Sequence, residues 1–220
     1  MSGKRIALGS LYSAIRCPQH YVYPSIHFVN SMFLQNMMVV WPDTTVDIIL
    51  RSNPRDDDDR PDLLSTLLAA IRANSTNVDL AECIVGLLSI VALDKIGGAS
   101  LKGLDADSLA MDAIRNHPDS SRLHEAAFAL LHSTIADFDG RRNDFVMEIL
   151  DSIETHPGEE MLQVNAIRLL GVVVAREDGT CAAEGTCLVR SERGRRILAM
   201  ASASFPDSCK ELVHSLLHEK

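Results

Sequence analysis

His214 and His218 stand four residues apart, a spacing that puts both imidazoles on one side of a helix. Two histidines are half a metal site, and a tetrahedral zinc centre wants further ligands. Cys209 and Glu211 are near in sequence but at no established ligand spacing. Cys181 and Cys187 flank five residues, wider than the roughly two to four of paired zinc ligands. They fit free thiols in a loop, with a regulatory disulfide as the competing reading. Residues 56–59 are four consecutive aspartates between Arg55 and Arg60. A calcium loop alternates its ligands and needs a turn glycine, so this run reads as a solvated linker. Arg190, Arg193, Arg195 and Arg196 form the one basic cluster, with Gly194 among them. Such a cluster can hold a phosphate, an acidic partner surface or the acidic run of a neighbouring copy. No glycine-rich phosphate loop, Gly-x-Ser-x-Gly elbow or dinucleotide fingerprint occurs. The expectation is a protein without catalytic residues, metal or cofactor.

Two other strings point to architecture: His117-Pro118-Asp119-Ser120 and His156-Pro157-Gly158-Glu159. The triplet His117-Pro118-Asp119 resembles the motif of J-domain co-chaperones, and that resemblance implies stimulation of an Hsp70-type chaperone. The stretch before it holds Asp105, Asp107 and Asp112 against Arg115, where that family has a basic helix. The string also recurs without the aspartate, as expected of a turn in a repeat.

Aligned on the two prolines, Ile114 and Ile153 lie four residues before. Leu123 and Leu162 lie five after, Ala127 and Ala166 nine after, and Leu130-Leu131 and Leu169-Leu170 twelve and thirteen after. With Ser75 in the proline slot, Ile71, Leu80, Ile84 and Leu87-Leu88 take the same offsets. Weaker copies open at Trp41-Pro42-Asp43 and Phe205-Pro206-Asp207-Ser208. The anchors are 33, 43, 39 and 49 residues apart, around the ~40–47 of helical-pair repeats. The offsets make one stripe on a helix. Proline suits the first turn of such a helix, and the residue before it ends the preceding one. Each string therefore predicts a tight turn between antiparallel helices. The pattern predicts helices over 25–40, 43–51, 62–73, 77–93, 105–116, 120–137, 143–155, 159–176, 192–204 and 207–218. Residues 97–103, rich in glycine, and 180–187, rich in small residues, read as linkers.

The segments AMDAIRNHPDSSRLHEAAFALLHSTIA and VMEILDSIETHPGEEMLQVNAIRLLGVVVA resemble armadillo repeats. The resemblance is good over about 62–177. It implies an all-α, right-handed α-solenoid of about five stacked hairpins, a binding face and no intrinsic catalysis. The Trp and Asn ladder of the importin type is absent, with Trp41 the only tryptophan.

Composition agrees with a globular helical chain: 220 residues, 46% hydrophobic and 23% charged. The net charge of −9 argues against a dedicated nucleic-acid binder, whose affinity rests on neutralising phosphates. Five cysteines without repeated spacing fit a reducing compartment, so a cytoplasmic location is expected. No apolar run approaches the ~18 residues of a membrane span. Residues 1–42 contain no acid and carry Lys4, Arg5 and Arg16 with six of the ten aromatics. They read as an N-terminal arm and first helix, with an organelle transit peptide as the alternative. Residues 43–220 read as the repeat domain, with the clearest repeats at 62–95, 105–137 and 143–177 and a capping repeat at 192–218. The expected function is a protein–protein scaffold or a structural subunit of a larger complex. Arg122, His124, Gln163, Asn165 and Arg168, polar residues between the stripe positions, are the candidate partner-binding set. The alternatives are an anion or nucleic-acid module using the arginine cluster, and the co-chaperone.

Overall fold

The computed structural model describes Ile49 and residues 63–134, 142–175 and 182–218. These hold α1 (Leu63–Ala73), α2 (Val78–Val91), α3 (Lys95–Gly103), α4 (Ala106–Asn116) and α5 (Ser121–Thr134). They continue with α6 (Arg142–Thr155), α7 (Glu160–Ala175), α8 (Ala182–Arg190), α9 (Glu192–Ser204) and α10 (Pro206–His218). No strand occurs among the described residues. The chain is all-helical there. The helices expected over 25–40 and 43–51, and the acidic run 56–59, lie outside the described residues, save that Ile49 is helical and buried.

Four hairpin corners share one hydrogen bond at one offset. The carbonyl before each anchor accepts from the amide three residues on: Asn74 from Asn77, His117 from Ser120, His156 from Glu159 and Phe205 from Ser208, at 2.9–3.3 Å. Pro118 and Pro157 thus occupy the second position of a β-turn, which suits their fixed φ. They stand ahead of the helix rather than in its first turn. Of the described prolines, Pro206 alone opens a helix, and α10 accordingly starts earlier relative to its anchor. Ser120 Oγ accepts from the Leu123 amide at 3.1 Å, and Asn77 caps Leu80 likewise at 3.0 Å. Each cap satisfies an amide that the helix start leaves unpaired.

The predicted stripe is the core. Leu80, Ile84, Leu87 and Leu88 of α2 are fully buried, as are Leu123, Ala127, Leu130 and Leu131 of α5 and Leu162, Ala166, Leu169 and Leu170 of α7. Burying each leucine contributes about 2 kcal/mol. Leu130→Ala alone should cost about 2–5 kcal/mol by leaving a cavity. The second helices pack in succession, α2 on α5, α5 on α7 and α7 on α10. The first helices α4, α6 and α9 pair with α5, α7 and α10. Polar ties cross between hairpins about one period apart. Ser120 Oγ donates to Glu82 at 2.7 Å, and His156 Nε2 donates to the Pro118 carbonyl at 2.9 Å. Asn165 Nδ2 lies 3.4 Å from the Glu125 carbonyl, and Ser208 bonds Glu160.

Two segments read as linkers are helices or parts of one. Asp94 caps α3 through the Ile96 and Gly97 amides at 2.9 and 3.0 Å. Gly97 is buried against Val91, whose Cγ1 would lie 2.8 Å from an added Cβ, so glycine serves close backbone approach here. Within 180–187, the residues from Ala182 onward belong to α8. The next corner closes on Gly194, where a Cβ would meet the Leu188 carbonyl oxygen at 2.6 Å.

Candidate functional site

The faces of α2, α5 and α7 away from the core repeat as well. Asp79, Cys83, Gly86 and Ile90 occupy one line along α2. Arg122, Ala126, Ala129 and Ser133 follow on α5, and Met161, Asn165, Arg168 and Val172 on α7. All three lines use the spacing 4, 3, 4 and the same offsets from their anchors. Asp79, Arg122, Met161 and Arg168 are exposed; the residues between them are half-buried, except Cys83, which is buried. Since α2, α5 and α7 lie side by side, the lines form one surface. Its floor is small, with Gly86, Ala126 and Ala129, and its charged groups are Asp79, Arg122 and Arg168. Met161 is 54% exposed and is the one large apolar side chain exposed on this surface.

Three of the five candidate binding residues, Arg122, Asn165 and Arg168, sit on this surface. His124 and Gln163 do not. They are 3% and 1% exposed and point into the molecule. His124 Nε2 lies 3.1 Å from the His117 carbonyl, so it is the protonated ring nitrogen and the donor. Gln163 Nε2 donates to the carbonyls of Ile153 and His156 at 2.9 and 2.8 Å. Both residues occupy the same offset and tie their helix to the end of the preceding one. That offset lies beside the stripe, on the side facing the turn, so the correction follows from helix geometry. Burial and the nearby His156 push the His124 pKa down to about 4, against partial support from the His117 and Ile114 carbonyls.

The arginine cluster is largely spoken for. Arg193 Nη2 meets Asp151 Oδ1 at 2.5 Å and Glu154 Oε2 at 2.6 Å, and Arg196 meets Glu154 Oε1 at 3.1 Å. These bonds hold Glu154 below the usual carboxylate range. Arg193 and Arg196 therefore bind α9 to α6. Arg195 is exposed, and Arg190, at the end of α8, is half-buried. The surface left for a phosphate is smaller than the sequence suggests. His117-Pro118-Asp119 forms the same turn as its counterparts at 74–77 and 156–159, after a helix, α4, that carries Asp107, Asp112 and Arg115.

No family model, curated protein or solved structure matches this chain. Its own geometry is therefore the basis for any functional reading. The rings of His214 and His218 are 4.6 Å apart, and no group of three or more metal-ligating side chains occurs among the described residues. Cys187 is an exposed thiol, and Cys181 lies outside the described residues. Cys83 is buried, which pushes its thiol up to about 11 and makes it a poor nucleophile. No helix is long and apolar enough to cross a membrane among the described residues. A cleft of about 420 Å³ opens between the turn at Ser75 and α4. Arg72 lies 3.9 Å from Asp105, and Arg115, 3.9 Å from Asp112, is held at 2.7 Å by Glu148 outside the cleft.

Sequence reasoning missed Asp79, Met161 and the small-residue floor. The signal was present: their offsets repeat as faithfully as those of the core. A scan for exposed positions at the repeat period would have found them.

Proposed function

We propose that this protein is a non-catalytic protein–protein interaction scaffold, or a structural subunit of a larger complex. It works as a short right-handed α-solenoid of about five hairpins, of the armadillo or HEAT-like kind. The observation that carries the reading is the outward surface of α2, α5 and α7, repeated at the same offsets as the core. Repetition of the turns at 74–77, 117–120, 156–159 and 205–208 supports the repeat architecture. Inter-hairpin bonds 38–48 residues apart support it further. Stacked hairpins of this kind bury a continuous core and leave an extended face.

Recognition would rest on shape. The small floor at Gly86, Ala126 and Ala129 lets a partner segment come close. Arg122 and Arg168 offer planar donors to its carboxylates or carbonyls. Met161 supplies an adaptable apolar contact. The test is capture of the partner by the full chain at low and high salt, compared with Arg122→Glu/Arg168→Glu. Both arginines are exposed, so the melting temperature should hold while capture falls at least tenfold. Unchanged capture with unchanged stability would remove this surface from the account.

A further inference from the structure

The two consecutive turns 117–120 and 156–159 touch through histidines. The His124 ring stacks edge-on against His156, with centroids 5.0 Å apart at 81°, and against Phe128 at 6.1 Å. Each ring donates one N–H to a turn carbonyl: His124 to His117 within its own hairpin, and His156 to Pro118 in the preceding one. The first bond closes a turn. The second joins two hairpins. His124 Nδ1 is buried without a hydrogen-bond partner, so a proton placed there enters a dry site with no acceptor.

We propose that this seam between the α4–α5 and α6–α7 hairpins is acid-sensitive: protonation of the buried His124 ring, stacked against His156, loosens their contact and ties the packing of the two hairpins to pH.

The charged surroundings favour that response. Asp119 in the same turn attracts a proton toward His124, but burial and the neighbouring His156 outweigh it. Glu82 of α2 is engaged by Ser120. Glu125, beside His124 on α5, is raised by burial and by Glu159 of the next turn, so neither carboxylate is free to neutralise a buried imidazolium cheaply. His117 is half-buried and offers its carbonyl, and Arg115 of α4 turns away to Glu148 at 2.7 Å. A proton added to the His124 ring therefore finds no acceptor in the closed seam, so the charged ring is better accommodated once the seam opens.

The sign follows from linkage. His124 has an ordinary value of 6.5 when the seam is open and about 4 when it is closed. The open form binds more protons between those limits, so opening grows as pH falls from 6.5 toward 4. From pH 7 to pH 5 the opening equilibrium should rise about 20-fold.

The internal control is already in the chain. Gln163 holds the equivalent place in the next hairpin and makes the same kind of bond without titrating. The experiment is hydrogen exchange of the full chain at pH 7 and pH 5, corrected for intrinsic exchange and read over residues 117–131 and 156–170. Wild type should show the rise of about 20-fold, and His124→Gln less than a twofold rise. Equal rises in both, or none in wild type, would overturn the proposal. An NMR titration of the wild-type His124 ring gives a second reading that needs no variant. A midpoint near 4 supports the seam, and one near 6.5 contradicts it.

Discussion

The turns at 117–120 and 156–159 have the same backbone and different chemistry. In the first, a buried imidazole holds the preceding carbonyl; in the second, a buried amide holds two. In the first, Asp119 fills the third turn position, and in the second, Gly158 does. The helix register decides that a residue at this offset faces inward. Its side chain decides only how the end of the preceding helix is satisfied. A polar residue between stripe positions is thus not yet a surface residue.

The largest effect should come from removing either clasp. Gln163→Ala and His124→Ala each leave turn carbonyls without their donor and open a small cavity, at a cost of about 2–4 kcal/mol. Chemical denaturation would measure both, and a cost below about 1 kcal/mol for one of them would break the equivalence. Acid comes next. Between pH 6.5 and pH 4, wild type should lose up to about 3 kcal/mol more than His124→Gln, because only wild type must charge a buried ring. Identical pH profiles would contradict that. At the last junction, Arg193→Ala should lower stability by about 1 kcal/mol, whereas Arg195→Ala leaves it unchanged in thermal melts. The smallest effect separates the two turns themselves. Gly158 has open space around a would-be Cβ and no left-handed φ. Gly158→Ala should therefore stabilise by about 0.5–1 kcal/mol through the unfolded chain, and a loss would show that the turn needs glycine.

Much of the all-helical fold was legible. The helices predicted over 62–73, 77–93, 105–116, 143–155, 159–176, 192–204 and 207–218 end within two residues of α1, α2, α4, α6, α7, α9 and α10. Leucine pairs at a fixed distance from a turn string mark both a helix and its buried face. The segments α3 and α8 were not legible as helices. Gly97 and Gly98 look like a flexible stretch until Val91 and Ala92 are seen against them. Residues lining such a corner become known only once the partner helix is placed. The arginine cluster misled for a related reason: its counter-charges, Asp151 and Glu154, lie about one repeat period upstream. Aligning charges as well as leucines at that period exposes the pairing. Polarity picks out Arg122, Asn165 and Arg168 on the outward surface, but it passes over Met161 and the small floor that share that surface.

The most direct test of the scaffold account places an apolar photo-crosslinking side chain at Met161, on the outward surface of α7, and at Asp112, exposed on α4. Neither side chain is buried, so neither replacement disturbs the core, and both arginines of the surface are kept. With the full chain in its own cells, the account predicts one protein crosslinked in high yield from position 161 and little from position 112. Equal yields from both positions, or crosslinks from 112 alone, would contradict binding along the second helices.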